Sequence, residues 1–237
     1  MAAFVNLAAM GATSFRSECL GPLDSVAHPL DVGSYRGDVW RGDAQLGSFL
    51  LEITEAGDGE QIEVDLCAID AKQAAEAALF RSGRVQGQPV YAVFHCDSGT
   101  DGLYVIVQDR SGGGVVFDSR VLQRGDYYIV TPVRPGTWNM QTGKNGKGVL
   151  TVAHPNPGKN PRPSAAGAAI EVDGKSFSPD KAEIVAGDGV AFQVTGKDVS
   201  IRIDLQEEKR PRERRKVGLR IPGKLAPDPQ RKRPSKG

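Results

Sequence analysis

The chain is poor in the residues that most often carry chemistry. It has three histidines and three cysteines in 237 residues. Cys19, Cys67 and Cys96 form no CxxC pair and no dense framework. That argues against a small secreted disulfide scaffold and for a reducing compartment. His28, His95 and His154 share no repeated spacing, so no zinc pattern is legible, and neither metal nor cofactor is expected. No apolar run approaches the roughly 18 residues of a membrane span. Met1 to Leu20 lacks the basic and long apolar regions of a secretion signal, and Asn6 interrupts its apolar stretch. The expectation is a cytoplasmic protein, or part of a cytoplasmically assembled particle, with no membrane span.

Turn formers are abundant instead. The chain has 29 glycines and 15 prolines, and short apolar runs lie between them. That punctuation predicts a mainly β protein. Ile62, Val64 and Leu66 alternate with polar residues, as do Val199, Ile201, Ile203 and Leu205, which is the pattern of half-buried strands. Further strands are predicted at 48–54, 90–95, 103–108, 115–119, 127–132, 149–152, 168–172, 182–185 and 190–194. One short helix is predicted from Ala71 to Arg81, with Asp70 as N-cap, an alanine-rich interior and Gly83 as the stop.

Composition divides the chain into five regions. Residues 1–45 read as an irregular N-terminal arm, broken by Gly21-Pro22 and His28-Pro29. Residues 46–153 read as a β-sandwich domain. Residues 154–166, with Pro155, Pro157, Pro161 and Pro163, read as an extended linker. Residues 167–206 form a small β segment, too short to stand alone and expected to pair with the larger sheet or another subunit. Residues 207–237 read as a basic disordered tail, with twelve Lys/Arg against four Asp/Glu, while the body holds 18 against 25. An acidic body with a basic tail suggests an acidic partner. The tail's candidate partner-binding residues are Lys209, Arg210, Arg212, Arg214, Arg215, Lys216, Arg231, Lys232 and Arg233. It has no aromatic residue, so any nucleic-acid binding would be non-specific phosphate contact without base stacking.

Other motifs are weighed by what their spacing allows. His95-Cys96 resembles a nucleophile or metal pair, but neighbours on a strand face opposite sides. His28 and His154 lie beside prolines and read as solvated loop residues. Arg-Gly-Asp occurs at 36–38, 41–43 and 124–126, either as a receptor-binding loop or as turn chemistry; without a secretion signal the second is preferred. Trp40, flanked by Arg36 and Arg41, is an interface candidate or a core residue. No catalytic constellation is legible, so no enzyme is predicted.

Two segments resemble the cupredoxin-like β-sandwich. Phe177-Ser178-Pro179, followed by Glu183-Ile184-Val185-Ala186-Gly187-Asp188-Gly189-Val190-Ala191-Phe192, is similar to that family's early strands. Tyr128-Ile129-Val130, Arg134-Pro135-Gly136-Thr137-Trp138 and Gly148-Val149-Leu150-Thr151-Val152 are similar to its late ones. The resemblance implies an antiparallel sandwich of cupredoxin-like or Ig-like type. The order is reversed, so two units or a circularly rearranged one is implied. The family's copper cysteine follows its P-G-T-Y turn, and here Asn139-Met140-Gln141-Thr142 stand instead. A scaffold without copper ligands follows.

Three functions remain. The first is a non-enzymatic structural or assembly protein that associates with itself or a protein partner through its arm and tail. The second is a binding module whose tail engages nucleic acid or another anionic surface. The third is a copper or redox protein of cupredoxin type.

Overall fold

Alternating apolar and polar residues between turns become strands, because alternation places one whole face in the core. The structure, a computed structural model, describes residues 11–55, 57, 59, 61–69, 78–85, 88–97, 101–155 and 167–206. Seventeen strands lie among them. The first nine are β1 (Ser14–Arg16), β2 (Asp24–Leu30), β3 (Gly33–Arg41), β4 (Ala44–Thr54), β5 (Gln61–Asp65), β6 (Ala78–Gly83), β7 (Val90–His95), β8 (Leu103–Asp109) and β9 (Val115–Asp118). The rest are β10 (Tyr127–Val130), β11 (Gly136–Thr142), β12 (Gly146–Ala153), β13 (Ala168–Val172), β14 (Phe177–Ser178), β15 (Lys181–Val185), β16 (Val190–Val194) and β17 (Ile201–Leu205). A 3₁₀ turn, Leu66–Ala68, follows β5 and is capped by the Asp65 carboxylate.

The strands form three sheets, ordered β14-β13-β16-β10-β2-β7-β5, β6-β4-β3-β8-β9 and β1-β17-β11-β12-β15. Strand β2 is the junction of the first, with β10 on one side and β7 on the other. The core is one cluster. Phe94 packs against both Phe49 and Phe117, while Trp138 packs on Phe15 and Tyr128 on Phe192. Strands β1 to β17 belong to one compact unit ending at Gln206.

Several expectations need correction. The sheets are mixed, not purely antiparallel: β4/β6, β5/β7, β12/β15 and β13/β16 are parallel pairs. The irregular arm is not irregular where it is described, because β1, β2 and β3 are woven into the sheets. Pro29 is tolerated in β2 because the ladder to β10 covers only Asp24–Ala27, and beyond it β2 pairs with β7 alone. The helix from Ala71 to Arg81 is contradicted at its C-terminal end. Residues 78–83 form β6, paired with β4, with Phe80 edge-on to Phe49. Alanine propensity is a weak prior that strand pairing overrides. Residues 70–77 lie outside the described residues, as do 1–10, 156–166 and the tail.

Nor do all three cysteines stay free. Cys67 and Cys96 are disulfide-bonded, with Cα atoms 5.2 Å apart, and Cys19 is the free thiol. The pairing was invisible in the sequence because it depends on β5 and β7 being parallel neighbours. Asp65 sits opposite His95, which brings the residues just after each strand together. A disulfide belongs to oxidising surroundings, so cysteine usage no longer argues for a reducing compartment.

Gly37 shows how tightly the core is set. It pairs with Phe49 across β3 and β4, and a Cβ there would overlap the Phe49 ring. Gly37→Ala is expected to lower stability by about 1–3 kcal/mol, the usual range for overpacking, as read from urea unfolding.

Candidate functional site

The outward side chains of β3, β4, β8 and β9 make one continuous face. On β3 alternation turns Tyr35, Gly37 and Val39 inward and Ser34, Arg36, Asp38 and Trp40 outward. A bulge between Val39 and Trp40 shifts the register with β4, which then pairs Trp40 with Gln45 and Arg41 with Ala44. Trp40 is half-buried and lies beside Tyr104, its register partner on β8. The ring centroids are 6.3 Å apart and the planes 9° from parallel. The guanidinium of Arg120 sits 4.5 Å above the Tyr104 ring. Hydrogen bonds to Asp118 hold it there, Nη2 to Oδ2 at 2.7 Å and Nε to Oδ1 at 2.9 Å, with a longer one from Nε to Oδ2 at 3.3 Å. Those hydrogen bonds hold the Arg120 pKa above its ordinary value. The Tyr104 hydroxyl donates to the Gly42 carbonyl at 2.8 Å. Trp40, Tyr104 and Arg120 thus form a fixed aromatic and cationic ladder.

Charge of both signs runs along this face, from Asp38 near the ladder to Glu52 at the far end of β4. Asp38 Oδ1 accepts from Arg36 Nε (3.0 Å), Gln45 Nε2 (2.9 Å) and Ser48 Oγ (2.8 Å). Arg81 Nε meets Glu52 Oε2 at 2.8 Å. Trp40 Nε1 is buried without a hydrogen-bond partner among the described residues. Beside the ladder, β9 is the last strand of its sheet, and its Val115 and Val116 are 60% and 36% exposed. Val121, one residue past Arg120, is exposed as well. Trp40 is therefore on the outer face, and the core tryptophan is Trp138. The tail candidates Lys209, Arg210, Arg212, Arg214, Arg215, Lys216, Arg231, Lys232 and Arg233 lie outside the described residues.

Histidine placement departs from expectation at one position. His28 is not in a solvated loop. It lies in β2, its Nδ1 is 2.6 Å from Asp126 Oδ1, and its ring stacks on Phe117 at 4.5 Å. Asp126 is fully buried and also accepts the Gln123 N–H at 2.6 Å. The three Arg-Gly-Asp sequences separate in consequence. The one at 124–126 is spent on this buried pair. The one at 36–38 lies inside β3, where Phe49 requires the glycine. In the one at 41–43, Arg41 ends β3 and Gly42-Asp43 form the two-residue turn to β4, with Gly42 at φ 54°.

Sequence reading also missed a buried titratable group at the start of β2. Asp24, 7% exposed, accepts the Gly21 N–H at 2.7 Å and the Tyr128 hydroxyl at 3.0 Å. Burial raises its pKa from 3.8 to about 7, and burial also pushes Tyr128 well above its ordinary value. A cavity of about 440 Å³ adjoins it, lined also by Arg16, Cys19 and Asp101. Leu23, just before it, holds φ 78°, a backbone conformation rare for a branched residue. The only clue was an aspartate just after Gly21-Pro22, which resembles ordinary turn chemistry. No protein-family model, no curated protein and no solved structure matches the chain.

Proposed function

We propose that the chain is a non-enzymatic assembly subunit that pairs with a second copy of itself along β9. The observation that carries this reading is the edge strand β9, which has no outer neighbour among the described residues, with exposed Val115 and Val116 beside the Trp40–Tyr104–Arg120 ladder. Natural sheets blunt their edges with charge, proline or a covering element, and an apolar edge offers backbone groups to another strand. Aromatic residues and arginine are the side chains most enriched at interface centres. The mixed charges of the face suit a self-complementary contact, where each patch meets its own copy. The basic tail fits the same role as a second contact to the acidic body of a neighbour.

We read the scaffold as sandwich-like, and the part built from β1 and β10–β17 as a copper-free cupredoxin-like unit in rearranged chain order. The support is that the late-like and early-like segments are parallel neighbours, with Val149–Ala153 beside Lys181–Val185. A second parallel pair joins β13 to β16.

Light scattering on a sizing column tests self-pairing. The full chain is expected to run as a discrete dimer at low and high salt. Val115→Lys is expected to raise the dissociation constant roughly tenfold or more, equivalent to about 1.4 kcal/mol. A wild-type monomer at micromolar concentration would refute the reading. A raised 260/280 absorbance ratio that falls with salt would favour nucleic-acid binding by the tail instead.

A further inference from the structure

Two sulfurs and a carboxylate converge where β5 and β7 end. Asp65, the last residue of β5, uses a single oxygen to tie both segments. Its Oδ1 accepts the Cys67 N–H at 2.9 Å and the Asp97 N–H at 3.3 Å. Its Oδ2 makes no hydrogen bond among the described residues. Asp65, Cys67 and Cys96 each present a donor atom, and the three atoms lie within 4.8 Å of one another. Asp65 and Cys67 are half-buried, so the cluster is reached from solvent, while Cys96 is buried beneath it. Neighbouring backbone N–H groups hold the carboxylate, as outer-shell partners hold a metal-binding carboxylate.

We propose that reduction of the Cys67–Cys96 disulfide opens a Zn²⁺ site with both thiolates and Asp65 Oδ2 as ligands. In the first step a phosphine or dithiol reductant supplies two electrons. The S–S bond breaks and each sulfur takes a proton: the phosphine leaves as its oxide, with the oxygen and both protons coming from one water, or the dithiol gives up its two protons and closes to its own disulfide. In the second step no electron moves: Zn²⁺ displaces the two thiol protons to solvent and forms two Zn–S bonds and one Zn–O bond. Two thiolates with a carboxylate suit Zn²⁺ better than Cu⁺, which prefers an all-soft donor set. Three protein ligands leave a fourth position open to water or a further donor. His95, the register partner of Asp65, lies beside it with Nδ1 on Asp97 Oδ1 at 2.9 Å. The oxidised pair has no thiolate to offer, so metal affinity follows the redox state of the protein.

The test uses the full chain carrying Cys19→Ser, which removes the unrelated free thiol. Cobalt(II) is titrated into the phosphine-reduced and the oxidised protein, and the thiolate-to-cobalt charge-transfer band is followed. Zn²⁺ is then added. The reduced protein is expected to develop the band to one equivalent and to lose it on Zn²⁺ addition, while the oxidised protein develops none. Asp65→Asn leaves the disulfide and the backbone-accepting oxygen in place. It is expected to weaken cobalt binding by at least about tenfold, the loss that even outer-shell partners of a metal ligand cause. Absence of the band after reduction overturns the proposal. So does equal binding by the oxidised chain, or an Asp65→Asn variant that binds like the parent.

Discussion

Asp24→Asn is expected to flatten the pH dependence of stability between about pH 4 and pH 7 and to make the protein more stable at neutral pH. Asp24 has a folded pKa of about 7 against an ordinary 3.8, because burial disfavours its charge. Over that window the folded state keeps a proton that the unfolded chain has released. Stability from this group is therefore fully present below the unfolded value and is lost as pH rises through the folded one. The shift of about three pKa units corresponds to about 4 kcal/mol. The Gly21 N–H and the Tyr128 hydroxyl both favour the charged form, so burial dominates the balance. Asp101 adds to the rise by like-charge repulsion. The surface carboxylates Asp109 and Asp173 act elsewhere. Backbone N–H groups of Ser111 and Lys175 lower their pKa values, so their contribution has the opposite sign and is lost only in more acid solution. Urea unfolding at four pH values between 4 and 7.5 reads the difference. Parallel curves for the parent and Asp24→Asn would sink the assignment.

Legibility in the sequence followed periodicity and failed where pairing decides. Strands β7, β13 and β16 have the predicted bounds, because each is a short alternating run between turn residues. Strand β3 was missed because Arg36, Gly37 and Asp38 read as a turn. Gly37 is there for a different reason, the Phe49 ring on the neighbouring strand. Strand β11 was hidden the same way, since Pro135-Gly136-Thr137 leads straight into it. Trp40 was visible as an interface candidate, but its partners Tyr104 and Arg120 come from β8 and the residues after β9, which only the sheet order brings alongside. Asp24 and the Cys67–Cys96 pair were illegible on the same ground. The environment of each is assembled from strands distant in the chain.

The same dependence predicts that residues 46–153, delimited by composition as a domain, do not fold when expressed alone. Removing residues 1–45 takes out β3, the strand between β4 and β8, and β2, the strand between β7 and β10. Removing residues 167–206 takes out β16, which covers the other side of β10, and β17, which covers β11. Parallel partners would be lost too, since β12 rests against β15. Of the seven-stranded sheet only β10, β7 and β5 would remain, and β10 would have no neighbour at all. Inner-face residues such as Tyr128, Phe94 and Trp138, now fully buried, would face water or an unfilled core. The net stability of a folded protein is only about 5–15 kcal/mol. Loss of central strands from each sheet exceeds that margin. Far-UV circular dichroism and amide dispersion in a proton–nitrogen NMR spectrum distinguish the outcomes. The fragment 46–153 is expected to give a narrow amide spectrum and no cooperative thermal transition, with the full chain as the folded reference. A dispersed spectrum with a sharp melt would mean that the sheets can close without β2, β3, β16 and β17, and that the strand order places the centre of the fold wrongly.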